Sequence, residues 1–221
     1  MTGTFPTSNS ATQPMLRERA RPRPRRREAG PPQAPVAAGM PTDLSRLLEV
    51  HVAAVPGVVA ASPDPVCEAL WRGACFRDER LAVLRVKLTS KVVTVVAVPS
   101  DLWMDGARRA RVLALKRAAV RSGRRVTVLP EGALRREPRL GNALVMAQAS
   151  QTTMCAEDRI AVMAALVEEP GIALGDLIQI VRHGPDRVAA VLSLARSGVV
   201  DVERRRPIGP LSQVWLRAGH V

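Results

Sequence analysis

The sequence predicts an α+β chain: a disordered tail, a small α/β unit of sheet and helix, then three short helices closed by two strands. Three observations predict it. Two apolar runs, Leu81 to Leu88 and Val92 to Val98, flank the tight turn Thr89-Ser90-Lys91. A long helical pattern from about Asp101 to Ser122, ended by Gly123, leads to a third run holding Val126, Val128 and Leu129. From Met154 onward, three apolar stripes at helical spacing are punctuated by Pro170-Gly171, His183-Gly184 and Ser197-Gly198. The expected divisions are residues 1–41, 42–150 and 151–221.

Residues 1–41 are rich in Pro, Ser, Thr, Arg and Ala and hold little that could build a core, so disorder is expected. Arg17–Arg27 alternates Arg with Pro, Ala or Glu. It serves either as an electrostatic arm along DNA or as a solubilising tail or upstream extension; the residues leave this open. Thr42-Asp43 caps a helix bearing Leu44, Leu47, Leu48, Val52 and Val55, broken by Pro56-Gly57. A second short helix runs from Asp64 or Pro65 to Trp71, with Val66, Ala69 and Leu70 facing inward. On the long helix, Leu102, Ala110, Leu113 and Ala114 supply the packing face. Arg108, Arg109, Arg111, Lys116, Arg117 and Arg121 point outward, followed by Arg124 and Arg125. A helix with Leu140, Leu144 and Met146 connects to the last module.

In that module Glu157 and Asp158 complement a helix N-terminus, and Ile160, Met163, Ala164 and Val167 follow as its stripe. Leu174, Leu177, Ile178 and Val181 form the second stripe. Pro185-Asp186 opens a third helix with Val188, Val191, Leu192 and Ala195 inward. Val199, Val200 and Val202 pair with Val214, Trp215 and Leu216 around Arg204-Arg205-Arg206-Pro207-Ile208-Gly209-Pro210. This order resembles the winged-helix family from about Met154 to Arg217. The resemblance implies a third helix in the DNA major groove, with Arg187, Ser193 and Arg196 outward and Arg182 and His183 at the preceding turn. Arg204, Arg205 and Arg206 would meet phosphate or the minor groove from the wing.

The hairpin, long helix and returning strand of residues 80–130 resemble restriction-endonuclease-like domains, especially transposon-type endonuclease subunits. Those families carry an acid-x-Lys pair on a strand and hold magnesium with converging carboxylates. Here Ala97 stands where the acid belongs and Pro99 where the lysine belongs. Asp78, Glu79, Asp101 and Asp105 lack the spacing, so the resemblance implies an inactive fold, with no catalytic residue, cofactor or metal.

The formal charge of +13 suits a phosphate-rich partner, although a GC-rich genome gives the same arginine bias. Residues 151–221 balance eight basic against eight acidic residues, but residues 182–221 carry +4 of their own. Cys67, Cys75 and Cys155 form no metal-binding pattern and read as small core residues of a cytoplasmic protein. His51 falls in a helix, His183 at a turn and His220 at the terminus. Trp71, Trp103 and Trp215 read as core anchors, and the absence of Tyr argues against stacking on single strands. No apolar run is long enough for a membrane span. The expected function is sequence-specific binding of double-stranded DNA, as a nucleoid-associated bacterial transcriptional regulator or mobile-element accessory protein. The α/β unit would add phosphate contacts, bind an effector or form a homodimer. Two rivals remain: a protein-docking module with a neutral winged helix, and a divergent magnesium-dependent endonuclease using Glu68 or Asp78.

Overall fold

The computed structural model describes residues 43–75 and 80–217; the expectations about the tail, Asp78, Glu79 and His220 lie outside them. Asp43 caps the first helix, α1 (Leu44–Ala53), its carboxylate accepting the Arg46 N–H at 3.3 Å. Val58–Pro63 follows as an edge strand, β1, where only a chain break was expected. Asp64 then accepts the Cys67 N–H at 3.0 Å and starts α2 (Pro65–Cys75). Its inner stripe is the i, i+4 pair Cys67 and Trp71, while Val66 and Leu70, expected inside, are 64% and 57% exposed.

β2 (Ala82–Leu88) and β3 (Val92–Val98) form the expected hairpin, and β4 (Val126–Pro130) returns parallel to β3. The sheet order is β1-β2-β3-β4. Side chains two apart on a strand share a face, and the cores divide accordingly. Ala82, Leu84, Val86, Val95 and Ala97 pack with Leu47 and Leu48 of α1. Leu81, Val83, Val96, Val98 and Val126 pack on the other face with Cys67 and Trp71.

The helix between β3 and β4 is two helices, α3 (Ser100–Met104) and α4 (Gly106–Arg121), where one was expected. Asp105 is the reason. Its backbone is extended and its Oδ1 accepts the N–H groups of Ala107 (2.9 Å) and Arg108 (3.0 Å), so it caps α4. The packing face of α4 is Val112, Leu115 and Ala119 rather than Ala110, Leu113 and Ala114. Gly123, at φ +81°, lets the chain leave the helix.

Two further helices follow, the short α5 (Glu131–Leu134) and α6 (Arg139–Ala149). Beyond them come α7 (Ala156–Glu168), β5 (Ile172–Ala173), α8 (Leu174–Ile180), α9 (Arg187–Arg196), β6 (Val200–Val202) and β7 (Gln213–Leu216). The second sheet is antiparallel, ordered β5-β7-β6. On α7 the buried positions are Asp158, Val162 and Leu166. Ile160 and Val167, expected inside, are 70% and 61% exposed, and Trp215 is also exposed.

The anticipated division at residue 150 falls just after α6, and α6 serves both cores. Leu140 belongs to the sheet core; Ala143, Met146 and Ala149 pack with Val191, Leu192 and Val200, together with Val50 and Ala54 of α1. Asn142, buried on the same helix, clamps the β6–β7 loop. Its Nδ2 donates to the carbonyls of Arg204 (3.1 Å) and Arg206 (2.9 Å), and its Oδ1 accepts the Ile208 N–H at 2.8 Å. Arg204 Nη1 donates to the Ala54 carbonyl at 3.2 Å, and Gly57 N–H to the Arg196 carbonyl at 3.0 Å.

Two outcomes follow from this packing. Asn142→Ala removes three hydrogen bonds to part-buried backbone groups, so urea denaturation should show a loss of about 1–3 kcal/mol. His51 Nε2 donates to the Leu134 carbonyl at 2.8 Å. Burial lowers its pKa from 6.5; that bond opposes the shift and Arg139 reinforces it. The unfolded chain therefore binds the extra proton first, and stability declines as pH falls below 6.5. Between about pH 7.5 and about pH 5.5 the urea midpoint should fall further in the native protein than in His51→Gln.

Candidate nucleic-acid interface

The residues expected to meet DNA fall into three groups with different environments. The first lies on α4, whose segment Gly106–Arg121 contains six cations and no carboxylate. Arg109, Arg111, Arg117 and Arg121 are exposed and Lys116 is half-buried; among the described residues none is ion-paired. Arg108 is exposed too and reaches Asp105 at 3.5 Å. Helical spacing puts Arg109, Lys116, Arg117 and Arg121 along one flank and Arg108 and Arg111 along the other. Arg124 and Arg125 extend the cationic run beyond Gly123.

The second group lies at the turn before α9. Arg182, His183 and Arg187 are exposed. The buried carboxylate of Asp158 holds this turn from below, accepting the N–H groups of Arg182 (3.0 Å) and His183 (2.9 Å) and facing His183 Nδ1 at 3.1 Å. Desolvation raises the pKa of Asp158, but these three interactions and a fourth from Cys155 outweigh it and hold the carboxyl down at about 2. In the sequence Asp158 shows only as a charge complementing the helix dipole.

The third group faces into the protein. Ser193 is half-buried, its hydroxyl donating to the Ala190 carbonyl at 2.7 Å. Arg196 is half-buried; Nη1 donates to the Ser150 carbonyl at 3.3 Å, and Nε is buried with no partner. Six of the ten residues of α9 (Ala189, Ala190, Val191, Leu192, Leu194 and Ala195) are buried. On α9 Arg187 is exposed, and Val188, Ser193 and Arg196 are half-buried. The Arg-rich loop is likewise held down. Burial pushes the pKa of Arg204 below its ordinary value, Asp201 opposing and Arg217 assisting, whereas Arg205 and Arg206 are exposed.

Comparison with protein-family models, curated proteins and solved structures gives no match for this chain.

The surface also holds residues that carry no signal in the sequence. Arg136 and Arg139 line an open cleft of about 720 Å³ together with Arg204 and Arg205. They are separated by more than sixty positions of chain, too far for any local pattern to join them. Cys155, expected in the core, is exposed at the N-terminus of α7, while Cys67 is buried as expected. No helix among the described residues is long and apolar enough to cross a membrane.

The two arginines of α9 should separate in a stability measurement. Arg187→Ala should stay within about 0.5 kcal/mol of the native protein, as exposed substitutions do. Arg196→Ala, which removes packing and a carbonyl partner, should cost about 1–2 kcal/mol by urea denaturation.

Proposed function

We propose that this protein binds double-stranded DNA without catalysis, and that α4 supplies the principal phosphate contacts. The carrying observation is the helix itself: six cations, no acid within it, and five cations with no ion pair among the described residues. A folded chain that concentrates one sign of charge on an exposed helix incurs self-repulsion, which a polyanion relieves. Neutralising phosphates also releases condensed counterions, so every phosphate engaged steepens the salt dependence.

The C-terminal module supports the same reading in a subordinate role. The order α7-β5-α8-α9-β6-β7, with β7 central in its sheet, resembles that of a winged helix. Its exposed cations Arg182, Arg187, Arg205 and Arg206 would add phosphate contacts at the ends of α9 and the loop, while α9 stays packed on α6. Transcriptional regulation or a mobile-element accessory role fits such a binder. Catalysis is not part of the proposal, since fully buried Ala97 and the neighbouring Pro99 occupy the positions where a nuclease of this pattern holds its acid and lysine.

Fluorescence anisotropy with a labelled mixed-sequence duplex tests the proposal on the full chain. Affinity should fall steeply between about 50 and 200 mM salt. The variant Arg109→Ala/Arg111→Ala/Arg117→Ala/Arg121→Ala should flatten the log–log salt slope by roughly 2 to 4, at about 0.9 for each phosphate that is no longer neutralised. A variant that binds with the native slope would remove α4 from the interface, and a native chain that fails to bind would remove the function.

A further inference from the structure

The geometry points to a divalent metal site of the zinc class formed by Cys155 Sγ, Asp158 Oδ1 and His183 Nδ1, joining the start of α7 to the turn before α9. This site stands apart from the DNA-binding proposal. The three donor atoms lie within 4.8 Å of one another. Cys155 Sγ is 3.5 Å from His183 Nδ1, and that nitrogen is 3.1 Å from Asp158 Oδ1. A tetrahedral zinc with S, N and O ligands at their usual bond lengths holds sulfur and nitrogen about 3.5 Å apart, and nitrogen and oxygen about 3.4 Å apart. Two edges of the donor triangle thus stand near the spacing that a bound ion imposes.

The chemistry of the cluster argues the same way. Sulfur and carboxylate oxygen converge on one ring nitrogen, which carries at most one proton and cannot serve both. A divalent cation can displace the thiol proton and take the Nδ1 lone pair while the imidazole keeps its proton on Nε2, so binding releases one proton to solvent. Asp158 is held for this task. It is buried, and the N–H groups of Arg182 and His183 fix its carboxylate, leaving lone-pair capacity on Oδ1. Glu157 lies beyond the imidazole, its Oε2 at 3.8 Å from His183 Nε2, where a ligating histidine commonly finds a carboxylate partner. Cys155 and His183 are exposed, so an ion has direct entry, and solvent would fill the fourth position.

The lining also decides which ion fits. A thiolate and an imidazole disfavour magnesium and calcium, which take oxygen donors. Zinc accepts all three donor types without a redox partner.

Cobalt titration of the chelator-treated full chain tests the site, because cobalt(II) reports thiolate ligation by a near-ultraviolet charge-transfer band and tetrahedral geometry by intense visible bands. One equivalent should saturate both, and zinc should displace it. Asp158 also holds a backbone turn, so its substitution risks unfolding the module; Cys155→Ser and His183→Gln change exposed side chains instead. Cys155→Ser should abolish the charge-transfer band, and each variant should weaken binding by at least about tenfold, the minimum commonly lost even for outer-shell partners. No saturable band in the native chain would overturn the proposal. So would a band that persists unchanged in both variants, which would assign the thiolate elsewhere.

Discussion

A single buried amide governs how this protein presents itself. The loop after β6 passes over α6 on its way to β7, and the buried side chain of Asn142 meets its part-buried backbone there. Buried carbonyl and N–H groups without partners are costly. Asn142 supplies three of those partners from one side chain, with two donors and one acceptor, a combination that few side chains can offer. With the loop fixed, Arg204 reaches the end of α1, α9 is enclosed between α6 and α8, and the last module shares its core with the first helices.

That enclosure determines which charges can act. The apolar residues of α9 pack on three neighbours at once, α6, α8 and β6. The cations that remain accessible lie at its edges. α4 is the opposite case: it touches the sheet through Val112, Leu115 and Ala119 only, so most of its circumference is free for charged side chains. The last third of the chain is neutral in sum, while the cationic helix lies in the unit built on the four-stranded sheet.

Much of the architecture was legible because the apolar residues of the strand runs alternate between the two faces of the sheet. Ala82, Leu84 and Val86 face one layer and Leu81 and Val83 the other, as a period of two requires. The failures have physical causes. β5 has two residues and no pattern to detect, and β1 is an edge strand exposed over most of its length. On α7 apolar residues surround the helix, and the decisive inward position belongs to Asp158, which no count of apolar residues could find. Asp105 was visible as an acid near a helix start, but its role as a cap that splits the helix depends on its extended backbone. The candidate site was legible in part: the composition of α4 was plain, whereas the burial of Ser193 and Arg196 comes from tertiary packing. Cys155, Asp158 and His183 meet only because the turn after α8 returns to the start of α7.

The most direct test of the account is amide hydrogen exchange on the full chain, with and without a saturating mixed-sequence duplex. If α4 grips phosphate while α9 stays packed, protection should rise across residues 106–125, and the peptides of α9 and the loop 204–208 should exchange as before. Protection appearing on α9 together with faster exchange in that loop would mean that the module undocks to read the groove, and would contradict the account.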